Sequence, residues 1–152
     1  MRASFWSKVR WQRVVVASLL FWAEAMVLRQ IEGVITATYY TNPKYSAIWS
    51  KAVGLFAKGQ VPVEFLVTAS VFTLITGVFL ALAYLWLRPV LPEKKTDRVV
   101  TFAVMVQTAN LVLSVLPDYL LLAVPLNLLM IWFVTGAMIV GVGAVIFSRV
   151  LE

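Results

Sequence analysis

Long apolar runs alternate with short polar, mostly basic segments along this chain. A bilayer core about 30 Å thick takes ~20 residues of helix. Four runs reach that length, from about Val14 to Tyr40, Val61 to Leu87, Val99 to Leu116 and Leu120 to Phe147. Membrane barrels alternate apolar and polar residues, whereas these runs are continuously apolar. The pattern therefore predicts an all-α protein, an integral membrane four-helix bundle forming one transmembrane domain over residues 1–152. Pro125 lies inside the fourth run and lacks an N–H, so that helix is expected to begin near Asn127. Leu116 to Leu126 would then form a turn and a short interfacial piece.

Between the first and second runs, Asn42 to Gln60 is the longest non-spanning stretch. Ile48, Trp49, Ala52, Val53, Leu55 and Phe56 recur at roughly helical spacing, and Lys51 and Lys58 can snorkel from them. A short interfacial helix is expected there, either a lid over a cavity between the spans or a plain connector. Leu91 to Asp97 reads as a solvated turn, because a proline and clustered charges stop one helix before the next begins.

Composition agrees with a bilayer protein: 62% of residues are apolar, 13% are charged and mean hydropathy is +0.91. The thirteen Lys and Arg outnumber the seven Asp and Glu. They gather at the ends of the apolar runs, which is a topology signal and excludes nucleic acid as the partner. Arg2, Lys8, Arg10 and Arg13 precede the first run, Arg88, Lys94, Lys95 and Arg98 separate the second from the third, and Arg149 follows the fourth. An even number of spans puts all of these on one side, so both termini are expected to face the cytoplasm of a multi-pass cell-membrane protein. Ala23-Glu24-Ala25 imitates a signal-peptidase site, but the apolar pattern resumes through Ile31 to Ile35, and the segment reads as an uncleaved first span. Trp6, Trp11, Trp49, Trp86, Tyr39, Tyr40, Tyr45 and Tyr84 fall near the expected span ends as interface anchors.

Cysteine and histidine are both missing. Disulfides, thiolate nucleophiles, imidazole bases, His-ligated haem and nearly all zinc and copper sites are thereby excluded. No phosphate loop, serine elbow or close carboxylate pair occurs either, so catalysis by this chain alone is not expected, and no covalent cofactor is.

Candidate chemistry rests on polar residues at membrane depth, where ionisable groups usually face the bundle interior or a wet cavity. Glu24 lies eleven residues after Arg13, which at the helical rise places it ~16 Å into the membrane and in need of a partner. Arg29 points away from Glu24 around the helix and is better placed to pair with Glu32, or to bind an anionic headgroup or substrate. In the third run, Gln107, Asn110 and Ser114 share one helix face, and Asn110 is also ~16 Å deep counting from Val99. Glu24, Gln107 and Asn110 are thus expected to cluster, as packing glue or as a ligand or proton site, with Arg29 near its mouth. Ala137 and Gly141 are spaced to let helices approach closely, within one subunit or across a homo-oligomer interface.

Three stretches resemble the DoxX/DoxD family of small four-helix membrane proteins. They are Thr41-Asn42-Pro43-Lys44-Tyr45-Ser46-Ala47-Ile48-Trp49, Thr76-Gly77-Val78-Phe79-Leu80-Ala81-Leu82 followed by Arg88-Pro89, and Gly141-Val142-Gly143 leading to Phe147-Ser148-Arg149. The family's lysine near the end of the first helix has no counterpart here, and its acid early in the second is matched loosely by Glu64. The resemblance implies a non-catalytic membrane subunit of a sulfur or thiol redox complex that passes electrons to quinone. Such a subunit offers a quinone or proton site or anchors a redox partner. A small oligomeric transporter or channel using the same polar cluster is the alternative, and a purely structural membrane protein is a third reading.

Overall fold

The computed structural model describes residues 9–45, 63–122 and 124–152. Its helices are α1 (Trp11–Thr41), α2 (Val63–Leu87), α3 (Lys95–Asn110), α4 (Leu116–Leu121) and α5 (Leu126–Val150), with no strand among the described residues. They form four stretches long and apolar enough to cross a membrane, Trp11–Tyr40, Val63–Val90, Lys95–Leu121 and Leu126–Val150. Of the loop after α1 only the beginning is described, a 3₁₀ turn over Pro43–Tyr45 in which Asn42 Oδ1 accepts from the Lys44 N–H at 2.9 Å. The interfacial helix expected after it lies outside the described residues.

The third span runs on where the sequence suggested a stop. It was expected to end at Leu116, yet helical backbone continues to Leu121 through a π segment at Leu111–Val115. There the Leu116 N–H bonds back to Leu111 O, five residues earlier. This wider turn brings Pro117 in at the first positions of α4, where its missing N–H is tolerated. Pro125 then precedes α5, and its carbonyl accepts from Leu128 and Leu129 at 3.0 and 3.1 Å. The fourth helix begins at Leu126, one residue before the expected Asn127.

α1 and α5 pack together at the centre, α2 lies against α1, and α3 lies against α5. Although consecutive in the chain, α2 and α3 do not pack along their lengths. The buried stripe of α1 repeats at helical spacing through Val14, Ala17, Ser18, Phe21 and Ala25, then turns polar at Glu32 and Thr36. Outward positions such as Val15, Leu19, Val27, Phe72, Phe79, Leu113 and Met138 stay exposed and apolar, as a lipid-facing surface requires.

The core is knotted at one end by an aromatic from every span. Tyr84 and Phe102 meet edge to face at 5.1 Å, Phe147 lies 6.2 Å from Tyr84 and 6.4 Å from Phe102, and Phe21 stacks on Phe147 at 5.7 Å. Offset and edge contacts of this kind add to simple burial. The Phe21 ring fits because glycines flank it. A Cβ at Gly77 would meet Phe21 Cδ1 at 2.9 Å, and one at Gly143 would meet Cδ2 at 2.7 Å. Gly141, by contrast, has nothing within 4 Å of its Cβ position among the described residues, so it serves no close packing between them.

Candidate functional site

Glu24 sits in α1 between Phe21 and Ala25 of the buried stripe. Both of its carboxylate oxygens are enclosed, and neither has a hydrogen-bond partner among the described residues. Enclosed polar atoms almost always find partners, so an acid with two bare oxygens calls for a physical reason.

Gln107 and Asn110 come from α3 and meet over α5. Gln107 Nε2 donates to Phe133 O at 3.0 Å. A Cβ at Gly136 would stand 3.7 Å from Asn110 Nδ2 and 3.8 Å from Gln107 Nε2, so the two amides lie together over this small residue. Gln107 Oε1 is enclosed without a partner. Sequence spacing thus brought the two amides to one face, and the structure seats that face on α5. It does not hydrogen-bond Glu24 to either amide.

Arg29 pairs with Glu32 as expected, Nη1 to Oε2 at 2.5 Å. Arg29 is half exposed, while the Glu32 side chain is 7% exposed, so the acid turns inward and the guanidinium reaches out. Thr36 Oγ1 donates to Glu32 O at 2.7 Å, and Trp132 Nε1 donates to Tyr40 Oη at 3.2 Å. Tyr40 lies within electrostatic range of both Glu32 and Arg29. This patch of α1 and α5 was only partly legible in the sequence, where the Arg29–Glu32 pair was expected but its neighbours Thr36 and Trp132 were not. Trp22 donates to Ser70 Oγ at 2.9 Å and ties α1 to α2.

Among the described residues no group of three or more His, Cys, Asp or Glu side chains could hold a metal ion. Asp118 accepts from Ser114 Oγ at 3.5 Å, a contact across one helical turn. What the arrangement offers is a set of acceptors inside the bundle, Glu24 Oε1 and Oε2 and Gln107 Oε1, that take a proton or a donor hydroxyl. Comparison with family models, curated proteins and solved structures found no match to this chain.

Proposed function

We propose that this chain is a non-catalytic membrane subunit of a quinone-linked redox complex acting in sulfur or thiol chemistry, with Glu24 as its proton or quinone-head contact. The observation that carries the reading is the pair of enclosed, partnerless Glu24 oxygens. A quinol hydroxyl is a donor to a carboxylate, and a quinone carbonyl accepts from a protonated one, so one acid serves both redox states. Gln107 and Asn110 supply further amide groups on α3, and Arg29 stands half exposed toward the other end of α1. With no cysteine or histidine in the sequence, electrons have to reach the quinone from a partner subunit. The resemblance to the DoxX/DoxD family supports the same reading. In the orientation proposed, both termini are cytoplasmic and the chain is a multi-pass protein of the cell membrane.

The test is decylubiquinone binding by the purified protein in lipid nanodiscs. Wild-type protein is expected to retain the quinone, and Glu24→Gln to lose most of it while keeping its helicity and thermal midpoint. Equal retention by both proteins, or none by either, overturns the assignment. Solute flux through the wild-type protein in liposomes, without quinone binding, would favour the small oligomeric transporter.

A further inference from the structure

The end of the bundle opposite the Trp132–Tyr40 contact carries a second feature, separate from Glu24. The start of α1, the end of α2 and the end of the chain enclose a cleft of about 330 Å³. Arg10, Arg13 and Arg88 line it together with the apolar side chains of Val9, Leu85 and Leu151. An adjoining cleft of about 430 Å³ shares Arg13 and adds Arg149. Orientation in the membrane needs basic residues on one side, but it does not need three of them, two from the start of α1 and one from the end of α2, to converge on one cavity with an apolar wall.

None of these arginines forms an ion pair among the described residues. Glu152 also lines the cleft, but its Oε1 accepts from Tyr84 and from Arg98, which lies outside the cleft wall. One carboxylate, shared between Arg98 and the charge of Arg88, faces three guanidinium groups, and the cavity keeps a net positive charge. Guanidinium groups match phosphate oxygens with two parallel N–H donors, and they tolerate partial burial better than ammonium groups. Position adds a constraint, because the cleft lies where two membrane-length helices end, at the depth of lipid headgroups.

We propose that Arg10, Arg13 and Arg88 form a seat for a phosphate-bearing anion at the membrane surface, either the headgroup of an acidic phospholipid or free phosphate. The apolar wall of Val9, Leu85 and Leu151 suits the glycerol and upper acyl carbons of a lipid. The arginine forks hold its phosphate.

The experiment compares three probes on the purified full chain in neutral detergent: dihexanoyl phosphatidylglycerol, dihexanoyl phosphatidylcholine and inorganic phosphate. Binding is read by native mass spectrometry and by the rise in thermal midpoint. Phosphatidylglycerol is expected to bind more tightly than phosphatidylcholine, with affinity falling about fivefold for each of Arg10→Gln, Arg13→Gln and Arg88→Gln. Lys94→Gln/Lys95→Gln, which changes charge by the same sign away from the cleft, is expected to leave binding unchanged. Arginine-dependent binding of inorganic phosphate alone would support the seat and identify free phosphate as its occupant. The proposal fails if the single arginine variants, each shown to be folded by circular dichroism, bind all three probes as wild-type does. It fails equally if the lysine variant weakens binding as much as they do, because general surface charge would then account for the effect.

Discussion

Tyr84 Oη donates a 2.5 Å hydrogen bond to Glu152 Oε1, and the same oxygen accepts from Arg98 Nη1 at 2.6 Å. Three segments far apart in sequence are joined through one carboxylate atom. Arg98 continues the network by donating from Nε to Pro92 O at 2.9 Å and from Nη2 to Glu93 O at 2.6 Å. One guanidinium thus holds both the turn after α2 and the end of α5. Because α2 and α3 do not pack along their lengths, this polar latch and the aromatic knot beneath it are what join them.

Acid is expected to open the latch. Burial pushes the Glu152 carboxyl upward, but hydrogen bonds from Tyr84 and Arg98, with the charges of Arg98 and Arg88, outweigh it and hold the group below its ordinary value of 4.5. A depressed carboxylate stabilises the fold above the unfolded value and loses that contribution as pH falls through the folded one. The thermal midpoint should therefore fall on acidification below about pH 4.5, and Glu152→Gln should flatten that decline. Identical acid limbs in the two proteins would count against the latch.

Two glycines of α5 separate packing inside the chain from packing between chains. Gly143→Ala drives a methyl into the Phe21 ring and should destabilise by about 1–3 kcal/mol. Gly141→Ala meets open space and should fall within ~0.5 kcal/mol of wild type. If Gly141→Leu breaks up an oligomer while leaving the monomer's stability alone, the Ala137–Gly141 face is a subunit interface.

Arg29 and Glu32 should be unequal in a double-mutant cycle. Arg29→Gln leaves the buried Glu32 carboxylate without its cation and should cost about 1.5–3 kcal/mol. Arg29→Gln/Glu32→Gln removes the stranded charge and should recover part of that loss. A double variant less stable than Arg29→Gln alone would show that Glu32 is held by other groups.

Glu24 is expected to trade stability for function. Replacing an enclosed, partnerless carboxylate with leucine should raise stability by about 1–3 kcal/mol, the usual penalty of an unsatisfied buried group. A loss of stability in Glu24→Leu would mean that the acid is partnered in the membrane. Unfolding in mild detergent, followed by circular dichroism, measures either result.

Orientation is open to labelling. A cysteine at Lys95 should react with a membrane-impermeant maleimide only from the cytoplasmic side, and one at Lys44 only from outside. Both residues are exposed in the structure, so failure to label would not reflect burial. Reaction of both from one side would refute the proposed topology.

The four helices were legible in the sequence because a membrane span is a local property. Every backbone polar group must be satisfied within its own segment, and a run of ~20 apolar residues meets that demand wherever it lies. The Arg29–Glu32 pair, the common face of Gln107 and Asn110, and the start of the last helix after Pro125 follow from spacing within one segment, and each was readable. The end of the third span was not. Hydropathy is blind to the π turn at Leu111–Val115 that carries the helix through Pro117. Nor could the sequence say that α5 would lie between α1 and α3, so that Gln107 and Asn110 rest on Gly136 while the Glu24 oxygens are left without a hydrogen bond. The inward turn of Glu32, the glycines that flank Phe21 and the latch of Tyr84, Arg98 and Glu152 belong to the tertiary structure for the same reason. Hydropathy measures the transfer of each segment into lipid on its own. Which segments become neighbours is decided afterwards by van der Waals fit and interhelical hydrogen bonds, since lipid gives no hydrophobic preference for one helix partner over another.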